Sequence, residues 1–405
     1  MAAQTTDLDF TPLRHELTPH FPALRAIRRR ADLLRSPLYA QIEGELTQLL
    51  NGIERGRHAL ATDRAAPTLR VVAWNIRRGL CFDGIVRALR EDPLLRDADV
   101  LLLSEVDHGL GRSGNRAVAR ELAQALRMHY AFGVSYLTLE DDWGENPDGR
   151  ENTLALAGAA VLSRLPLGRV ENVDLPELRD KFSSSEKRLG KKRALLCEVL
   201  APEGPLFLAG CHLDSNASPA GRAAQLAALL DRADAMGANP LLLGGDFNST
   251  TYDASATWPL LKDLLHKYFV TGFKPTVDGY MTPERLYERP MFDVLAQHGL
   301  SIDGLNDRRR GTIHYDLQHP YAIQKAQKKA GRFLTWLLRR RLRPWNFVVP
   351  ARLDWFAGRG VVPVFAGVAD PMDWPRDARG EPVSDHAAVV VDIDRAALFP
   401  TTRAP

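Results

Sequence analysis

Cysteine is scarce in this 405-residue sequence, which contains only Cys81, Cys197 and Cys211. Three is an odd number, and no two of these cysteines have the spacing of a CxxC pair. The scarcity excludes a disulfide framework and a zinc site built on paired thiolates. Because at least two of the three lie in apolar runs, we predict that they are small buried hydrophobic side chains.

Net charge and long apolar runs are also lacking. The 53 Lys and Arg residues nearly balance the 50 Asp and Glu residues, which leaves a formal charge of +3. The overall charge therefore gives little indication of a nucleic-acid or membrane partner, and any basic patch must be local. No uncharged run approaches the roughly 20 residues that span a bilayer, and the N-terminus lacks the pattern of a secretory signal peptide. We therefore predict a cytoplasmic protein.

What the sequence does contain is ordinary for a globular protein, with 45% hydrophobic and 25% charged residues. Residues 1–66 are rich in arginine, and we predict that they form a helical N-terminal extension. This prediction depends on apolar residues spaced three and four apart, which form one face of a helix. These residues are Leu38, Ile42, Leu46, Leu50 and Ile53.

From Leu69 to about residue 252 the pattern changes to short apolar runs, such as VVAWNI, DVLLLSEV and PLLLGGDF. Runs of this length are typical of strands covered on one or both faces, which predicts a layered α/β domain. One helix is well marked, since Ser218 is a suitable N-cap and Pro219 fits the first turn. Residues 253–349 show no clear strand alternation, and the strand pattern resumes with RLDWF and DHAAVVVDI.

Polar side chains with the chemistry of metal or phosphate binding stand at the ends of these predicted strands. Asp246 and Asn248 lie two residues apart, so both point to the same side of an extended chain. Each such residue has an ordinary explanation on its own, because Asn or Asp at a strand end usually forms a turn and a single His is usually structural. In chain order the set is Asn75, Glu105, His212, Asp246, Asn248, Asp354, Asp385 and His386.

Taken together, these residues are oxygen donors and imidazoles without thiolates. Such donors suit Mg²⁺ or Mn²⁺, which are held by one or two carboxylates and by the phosphate oxygens of a substrate. Hydrolysis of a phosphodiester requires charge neutralisation, an activated water and a stabilised leaving oxygen. Amides such as Asn75 and Asn248 can orient an anionic phosphate without adding negative charge. The set therefore predicts metal-assisted phosphate chemistry.

The same ordered set resembles the endonuclease/exonuclease/phosphatase superfamily, which includes exonuclease III, deoxyribonuclease and neutral sphingomyelinase enzymes. The phrases SEVDHGLGRSGN, AAVLSRLPL and KRALLCEV resemble its bacterial members. The resemblance covers residues 69–252 and 350–393 and implies a four-layered α/β sandwich, two mixed β-sheets face to face with helices outside. We accordingly expect a catalytic domain over residues 67–396 with an inserted region at 253–349, followed by a tail at 397–405.

The resemblance also implies a role for each residue of the set. Asn75, Glu105 and Asp385 resemble the ligands of the Mg²⁺ or Mn²⁺ ion. His386 resembles the histidine that contacts the scissile phosphate or acts as a base, and Asp354 resembles the carboxylate that orients it.

Three further roles follow from the resemblance. Asp246 is similar to the residue that activates the attacking water or protonates the leaving group, and Asn248 to the residue that holds a phosphate oxygen. His212 stands where deoxyribonucleases and sphingomyelinases carry a histidine and exonuclease III-like enzymes carry a tyrosine. This argues against an abasic-site endonuclease.

The substrate is open at this stage, and three alternatives stand. The first is a phosphodiesterase or phosphatase that acts on a small molecule or lipid headgroup, the second is a nuclease on DNA or RNA, and the third is a non-catalytic phosphate-binding protein. Several arginines close in sequence to the site are candidates for contacts with substrate phosphates. They are Arg77, Arg78, Arg112, Arg116 and Arg164.

Outside the resemblance, residues 321–343 predict a basic amphipathic helix. Its apolar residues recur at helical spacing, whereas most of its Lys and Arg residues fall elsewhere on the helix. Such a helix can lie on an anionic membrane, with Trp336 and Trp345 at the interface. The alternative is a helix that packs its apolar face on the sandwich and leaves its basic face in solvent. A basic rim would also suit nucleic acid.

Overall fold

The structure is a computed structural model that describes residues 10–58, 66–140, 145–146, 148–184, 186–250, 252–253, 255–318, 323, 327, 331–375 and 381–398. The strands are β1 (Ile53–Gly56), β2 (Thr68–Arg78), β3 (Val100–His108), β4 (His129–Thr138), β5 (Leu156–Ser163), β6 (Leu167–Asp174), β7 (Arg188–Gly190), β8 (Arg193–Ala201), β9 (Gly204–His212), β10 (Leu241–Asp246), β11 (Ile313–Asp316), β12 (Val348–Ala351), β13 (Asp354–Arg359), β14 (Pro363–Ala369) and β15 (Ala388–Asp394). The α-helices are α1 (Phe21–Ala26), α2 (Arg30–Leu34), α3 (Pro37–Leu50), α4 (Phe82–Glu91), α5 (Val118–Leu126), α6 (Pro219–Ala235), α7 (Thr257–Leu265), α8 (Phe273–Asp278), α9 (Arg289–Gln297), α10 (Arg332–Arg341) and α11 (Arg395–Leu398).

Two mixed sheets form the centre of the molecule. The larger sheet has eight strands in the order β1-β4-β5-β3-β2-β15-β14, with β7 paired to β4, and the smaller has five in the order β13-β10-β9-β8-β6. Both sheets combine antiparallel pairs with a parallel pair, β2 with β3 in the larger and β9 with β10 in the smaller. Because parallel strands end at the same edge, each sheet gathers two carboxyl ends at one place.

An apolar core between the two sheets holds the sandwich together. Val71, Leu102 and Val161 contribute to it from the larger sheet, and Leu208 and Phe356 contribute from the smaller one. These side chains are fully buried or nearly so. The apolar runs recognised in the sequence are therefore strands whose inner faces meet.

Helices cover the outer faces of both sheets. Ile85 and Leu122 of α4 and α5 share one buried core with Leu103 of the larger sheet. On the other side, Leu226 of α6 and Leu295 of α9 are buried in the core that covers the smaller sheet. The molecule therefore has the order helix, sheet, sheet, helix, and the predicted four-layered α/β fold is confirmed.

The N-terminal extension packs on the larger sheet and is not wholly helical. Leu24 and Leu46, from α1 and α3, are buried in the same core as the strands of that sheet. After α3 ends at Leu50, β1 pairs antiparallel with β4 and adds an edge strand to the sheet. Ile53, which its spacing had placed on the helix, therefore lies in a strand.

One local prediction is confirmed, and a second is confirmed for two of its three residues. The Ser218 hydroxyl accepts a hydrogen bond from the Gly221 amide at 3.1 Å, and α6 begins at Pro219 as its N-cap predicts. The three cysteines are free, and Cys197 and Cys211 are buried as predicted, whereas Cys81 is only partly buried.

The region predicted to be an insertion, residues 253–349, contains α7 to α10 and β11, which pairs with β12. It has a small core of its own, to which Val277, Leu342 and Val349 belong. Its helix α9 joins the sandwich, because Arg222 of α6 forms a buried ion pair with Glu288 immediately before α9.

Only the second half of the predicted basic helix is described. It forms α10, whereas Lys325, Ala326, Lys328, Lys329 and Ala330 lie outside the described residues. Among the described residues, no helix combines the length and the apolar composition needed to cross a membrane.

Candidate active site

Strand ends from both sheets meet at one edge of the sandwich. Asn75 and Glu105 lie near the ends of β2 and β3, whereas His212 and Asp246 are the last residues of β9 and β10. The pairing of β10 with β13 places Asp246 opposite Asp354. Asn75 Nδ2 donates a hydrogen bond of 3.2 Å to Asp246 Oδ2, which joins the two sheets. The predicted site residues are therefore neighbours in space.

Irregular backbone aims several of these side chains. The register shifts between Asn75 and Arg78 where β2 meets β3, and between Leu103 and Val106 where β3 meets β5. Such bulges re-aim side chains, and residues with strained backbone cluster at functional sites. The non-glycine residues with positive φ at this edge are Arg77 (46°), Arg78 (65°), Glu105 (51°) and Asn248 (48°).

Asp354, His386 and Asp246 lie in a row. His386 Nδ1 is 2.9 Å from Asp354 Oδ2, and its Nε2 is 3.8 Å from Asp246 Oδ2. The backbone of His386 is fixed as well, because its amide donates to Ser384 Oγ at 3.1 Å and its carbonyl accepts from Trp74 Nε1 at 2.9 Å. The imidazole is thus held between two carboxylates, with its second ring nitrogen turned towards Asp246.

Amide groups and a second imidazole surround Asp246. Its Oδ1 accepts a hydrogen bond of 2.8 Å from the backbone amide of Asn248, while Oδ2 accepts the bond from Asn75. Asn248 Nδ2 donates to the Leu213 carbonyl at 2.9 Å, which fixes the side-chain amide beside Asp246. His212 Nε2 lies 3.5 Å from Asp246 Oδ2. Asp246 is therefore the point at which the polar side chains of the site converge.

The two histidines differ in protonation. Burial and the nearby Lys192 charge lower the pKa of His212 to about 4, so this imidazole is neutral at pH 7. Burial also opposes the charged form of His386. There the carboxylates of Asp354 and Asp246 outweigh it and hold the pKa well above its usual value. The site therefore combines a neutral imidazole with an imidazolium that can donate from both ring nitrogens.

The carboxyl groups of Asp246 and Glu105 also differ in how readily they take up a proton. Burial raises the pKa of Asp246 above its usual value, although the His386 charge opposes this shift. Burial also tends to raise the pKa of Glu105, but the cations around it, chiefly Arg78, hold that pKa below its usual value. Arg78 Nε lies 3.8 Å from Glu105 Oε2. Glu105 therefore stays ionised, whereas Asp246 takes up a proton more readily.

Lys192 is a residue of the site that the sequence patterns missed. It directly precedes β8, which runs antiparallel to β9, so it lies at the edge where β9 ends with His212. Burial lowers the pKa of Lys192 to about 8, against the charges of Asp214 and Glu105, which raise it. The phrase GKKRALL shows a polar strand start, but only the antiparallel pairing reveals that β8 begins where its neighbour ends.

Asp385 is placed differently from the other predicted residues. It is exposed, and its charge raises the pKa of both Arg77 and His386. Asp385 therefore lies at the solvent side of the site.

Of the candidate arginines, Arg77 and Arg78 lie at this edge. The other three are engaged by other groups of the chain: Arg112 by Asp107 and Glu186, Arg116 by Glu121, and Arg164 by the Ala98 carbonyl.

The group formed by Asp246, Asp354 and His386 has the spacing of metal ligands but is better suited to proton transfer. Among the described residues, Asp246, Asp354 and His386 have ligand atoms within 4.8 Å of one another. The imidazole of His386 is bonded to Asp354 and has a raised pKa. Its Nδ1 is therefore engaged by Asp354, and the charged form carries hydrogen on Nε2, the nitrogen that faces Asp246.

Glu105 has the chemistry of a metal ligand. It is ionised and partly exposed, the Arg78 guanidinium lies 3.8 Å from it, and the neutral His212 imidazole lies 3.9 Å from it. These distances exceed a hydrogen bond, so the carboxylate is not tightly engaged by either group. Asn75 pairs with Ser104, the residue before Glu105, and its Oδ1 accepts a hydrogen bond of 3.0 Å from the Arg77 amide. An ionised carboxylate close to an amide oxygen fits a hard cation such as Mg²⁺ or Mn²⁺.

Replacement of Asp354 tests whether this residue orients His386 or binds the metal ion. We expect Asp354→Asn to lower kcat while leaving Mg²⁺ affinity nearly unchanged, because the amide keeps the shape of the carboxylate but not its charge. The pKa of His386 should also fall, since Asp354 helps to raise it. Mg²⁺ titration calorimetry and turnover assays measure the two effects. A parallel loss of Mg²⁺ binding would make Asp354 a metal ligand and contradict this assignment.

Replacement of Lys192 tests its electrostatic contact with the site. In protein treated with EDTA, Lys192→Met should raise the pKa of His212 from about 4, because the neighbouring charge is removed. The value should stay below about 6.5, the usual value for histidine, since burial persists. NMR titration of the His212 ring measures this shift. The control is Lys191→Met, because Lys191 pairs with Asp174 at 2.6 Å. Equal shifts in both variants would contradict the placement of Lys192.

Several solved structures of low sequence identity are similar to this chain. A Beutenbergia cavernae endonuclease/exonuclease/phosphatase is 18% identical, with a TM-score of 0.48 over 81% of this chain and 72% of that one. A 3′ phosphatase from Neisseria, bound to a product DNA hairpin, is 16% identical, with a TM-score of 0.45 over 80% and 99%. Sphingomyelinase C from Streptomyces griseocarneus is 15% identical, with a TM-score of 0.41 over 81% and 99%. Likenesses this distant do not indicate a substrate.

Sequence comparison identifies the family. No curated protein matches the chain significantly. The sequence model of the Endonuclease/Exonuclease/phosphatase family, however, matches residues 72–386. This range is more than half of the chain and includes the whole predicted set from Asn75 to His386. The chain therefore belongs to the endonuclease/exonuclease/phosphatase family.

Proposed function

We propose that the protein is a metal-dependent hydrolase that cleaves a phosphate ester, as a phosphodiesterase or a phosphatase, by in-line attack of an activated water. One observation carries the proposal. The buried carboxylate of Asp246, whose pKa is raised, lies 3.8 Å from the His386 imidazole, which is protonated at neutral pH. A proton acceptor and a cationic donor that face one space are the groups that attack of water on a phosphate requires.

Asn75, Glu105 and Asp385 are the residues that we propose to hold Mg²⁺ or Mn²⁺. The bound ion would neutralise charge on the phosphate oxygens of the substrate. Glu105 contributes an ionised carboxylate, and Asn75 contributes an oxygen without further negative charge. Asp385, at the solvent side, could add a ligand or hold a second ion.

The remaining residues act on the water and on the phosphate. Asp246 accepts a proton from the attacking water, and its raised pKa brings it closer to the operating pH. His386 donates a hydrogen bond to a phosphate oxygen as negative charge develops there, and Asp354 keeps the ring oriented and charged. The side-chain amide of Asn248 donates to a phosphate oxygen.

His212 has a separate place in the proposed mechanism. Its Nε2 lies between Glu105, at 3.9 Å, and Asp246, at 3.5 Å. Since its pKa is lowered to about 4, it enters this space without a positive charge that would neutralise either carboxylate. It can therefore orient the water or a phosphate oxygen while Asp246 remains available as the base.

A panel of substrates tests the proposal. The purified protein with Mg²⁺ is offered bis-p-nitrophenyl phosphate, sphingomyelin or phosphoinositide vesicles, nicked and single-stranded DNA, and RNA. Hydrolysis of the small or lipid esters without cleavage of nucleic acid supports a phosphodiesterase or phosphatase. Cleavage of DNA or RNA would support the nuclease alternative. Phosphate binding without any turnover would support a non-catalytic protein. A cytoplasmic location stays a prediction of the sequence.

A further inference from the structure

Large exposed hydrophobic side chains are concentrated in the inserted region. Of 15 such side chains among the described residues, eight lie within 253–349, which is about a quarter of the chain. Single exposed apolar side chains are normal, but a concentration of them marks a surface that a partner covers. The eight are Trp258, Leu265, Val270, Leu286, Tyr315, Trp336, Leu337 and Leu338.

The helix α10 packs on the protein by a narrow face. Thr335 and Leu342, the residue after α10, are buried, and Arg339 is half-buried with its guanidinium 5.1 Å from the Phe347 ring centroid. At 100° per residue these positions fall on one side of the helix. The face against the protein is therefore not the apolar stripe that helical spacing had suggested.

The opposite side of α10 combines apolar and basic groups in solvent. Trp336 and Leu337 are 54% and 40% exposed, and Arg340 and Arg341 are exposed beside them. The Arg340 guanidinium lies 5.9 Å from the centroid of the Trp336 ring. An aromatic ring, an aliphatic side chain and two arginines on one face match the water interface of a bilayer, where Trp lies at headgroup depth.

The charge of this region is strongly biased. Between Asp316 and Asp354 the sequence contains nine Lys and Arg residues and neither Asp nor Glu. The rest of the chain is left with 44 Lys and Arg against 50 Asp and Glu, so the positive charge of the protein is local to this stretch. A local excess of this kind attracts an anionic surface even though the overall charge is small.

We propose that the exposed side of α10 binds the surface of an anionic lipid bilayer. Trp336 and Leu337 would lie among the headgroups, and Arg340 and Arg341 would contact lipid phosphates. The phosphates of a nucleic acid could also pair with the arginines. They would leave Leu337 without an apolar partner, because an aliphatic side chain gains little from a phosphate backbone. A bilayer interface accommodates both kinds of side chain.

The position of the insertion gives this contact a consequence for the active site. Soon after α10 the chain enters β12 and continues to Asp354. The Thr312 hydroxyl accepts from the Asp354 amide at 3.1 Å, and Ile313 forms a bridge with His386. The segment that contains α10 is therefore connected to Asp354 and His386, which form the Asp-His pair. If the proposed function holds, binding would bring this site to headgroup phosphate esters.

Vesicle co-sedimentation tests the inference without depending on catalysis. The full chain is mixed with sucrose-loaded vesicles of phosphatidylcholine alone or with phosphatidylserine, at low and high salt. We expect binding only to the anionic vesicles, weakened by salt. Arg340→Glu should lower the partition coefficient at least about fivefold, and Trp336→Ala should lower it by a similar factor. The matched controls are Arg96→Glu, in the turn before β3 and so beyond the end of that strand opposite the site, and Leu34→Ala, both exposed.

The outcomes separate this inference from the proposed function. Hydrolysis of soluble bis-p-nitrophenyl phosphate should be the same in Arg340→Glu, Trp336→Ala and the unchanged protein, because neither side chain belongs to the catalytic site. Absence of binding to anionic vesicles at low salt would overturn the inference, and so would equal losses in Arg340→Glu and Arg96→Glu. Binding of a single-stranded oligonucleotide in place of vesicles would also overturn it. Vesicle binding without any esterase activity would contradict only the proposed function.

Discussion

Asp246→Asn is expected to lower kcat by roughly 10²-fold or more, because the amide cannot accept the proton of the attacking water. The melting temperature should not fall. Burial disfavours the charged form of Asp246 and raises its pKa although the His386 charge opposes this, so a neutral amide of the same shape avoids the cost of a buried charge. Steady-state kinetics and thermal denaturation measure the two quantities.

Asp392→Asn is a matched control with the opposite expectation. Asp392 pairs with Arg70 through two hydrogen bonds of 2.7 and 2.8 Å, near the start of β2 and away from the site. Its replacement should lower the melting temperature and leave the kcat of the folded enzyme unchanged. If Asp246→Asn lost stability but kept its turnover, Asp246 would be structural and the proposed mechanism would be wrong.

Glu105→Gln is expected to weaken Mg²⁺ binding and to lower kcat by roughly 10²-fold or more. Glu105 is ionised although partly buried, and glutamine retains its shape while removing the negative charge that attracts the cation. Titration calorimetry measures Mg²⁺ affinity, and turnover is measured at saturating Mg²⁺ as well as at a low concentration. The melting temperature should change little, since the nearest cation, Arg78, is 3.8 Å away.

Glu145→Gln separates metal binding from a general change of charge. Glu145 is a second carboxylate that pairs with Arg78, but it does not belong to the predicted ligand set. We expect its replacement to leave Mg²⁺ affinity nearly unchanged. Equal losses of affinity in the two variants would mean that local charge, and not ligation by Glu105, controls the binding of the ion.

The sequence predicted the layered fold and the edge at which the site lies, because both depend on local patterns. A buried strand must be apolar along its length, so the first polar residues mark where it ends, as at Asp246 and Asn75. The end of α6 nearest the site was predictable for a similar reason, since Ser218 and Pro219 satisfy the first turn of a helix through local contacts.

Features that depend on long-range pairing were not predictable. The place of Lys192 follows from the antiparallel pairing of β8 with β9, and the edge strand β1 forms because it pairs with the first half of β4. The positive φ of Glu105 follows from a bulge that involves three strands. Arg112, which stands close to the site in sequence, is used in a buried ion pair with Glu186, 74 residues further along the chain. None of these relations has a pattern within a short window of sequence.

The burial of α10 shows a second limit of prediction from sequence. Helical spacing separates apolar from basic positions, but it does not say which face meets the protein. Thr335 is buried and Trp336 is exposed, which reverses the expectation from hydrophobicity alone. The packing of the insertion against β12 decides this arrangement, and the sequence of the helix does not contain it.

Hydrolysis of bis-p-nitrophenyl phosphate by the EDTA-treated protein, before and after Mg²⁺ is restored, tests the central claim most directly. The account predicts no turnover in EDTA, recovery with Mg²⁺ or Mn²⁺, and no recovery in the Glu105→Gln variant at the same concentration of metal. Equal turnover in EDTA and in Mg²⁺ would contradict a metal-dependent phosphate-ester hydrolase.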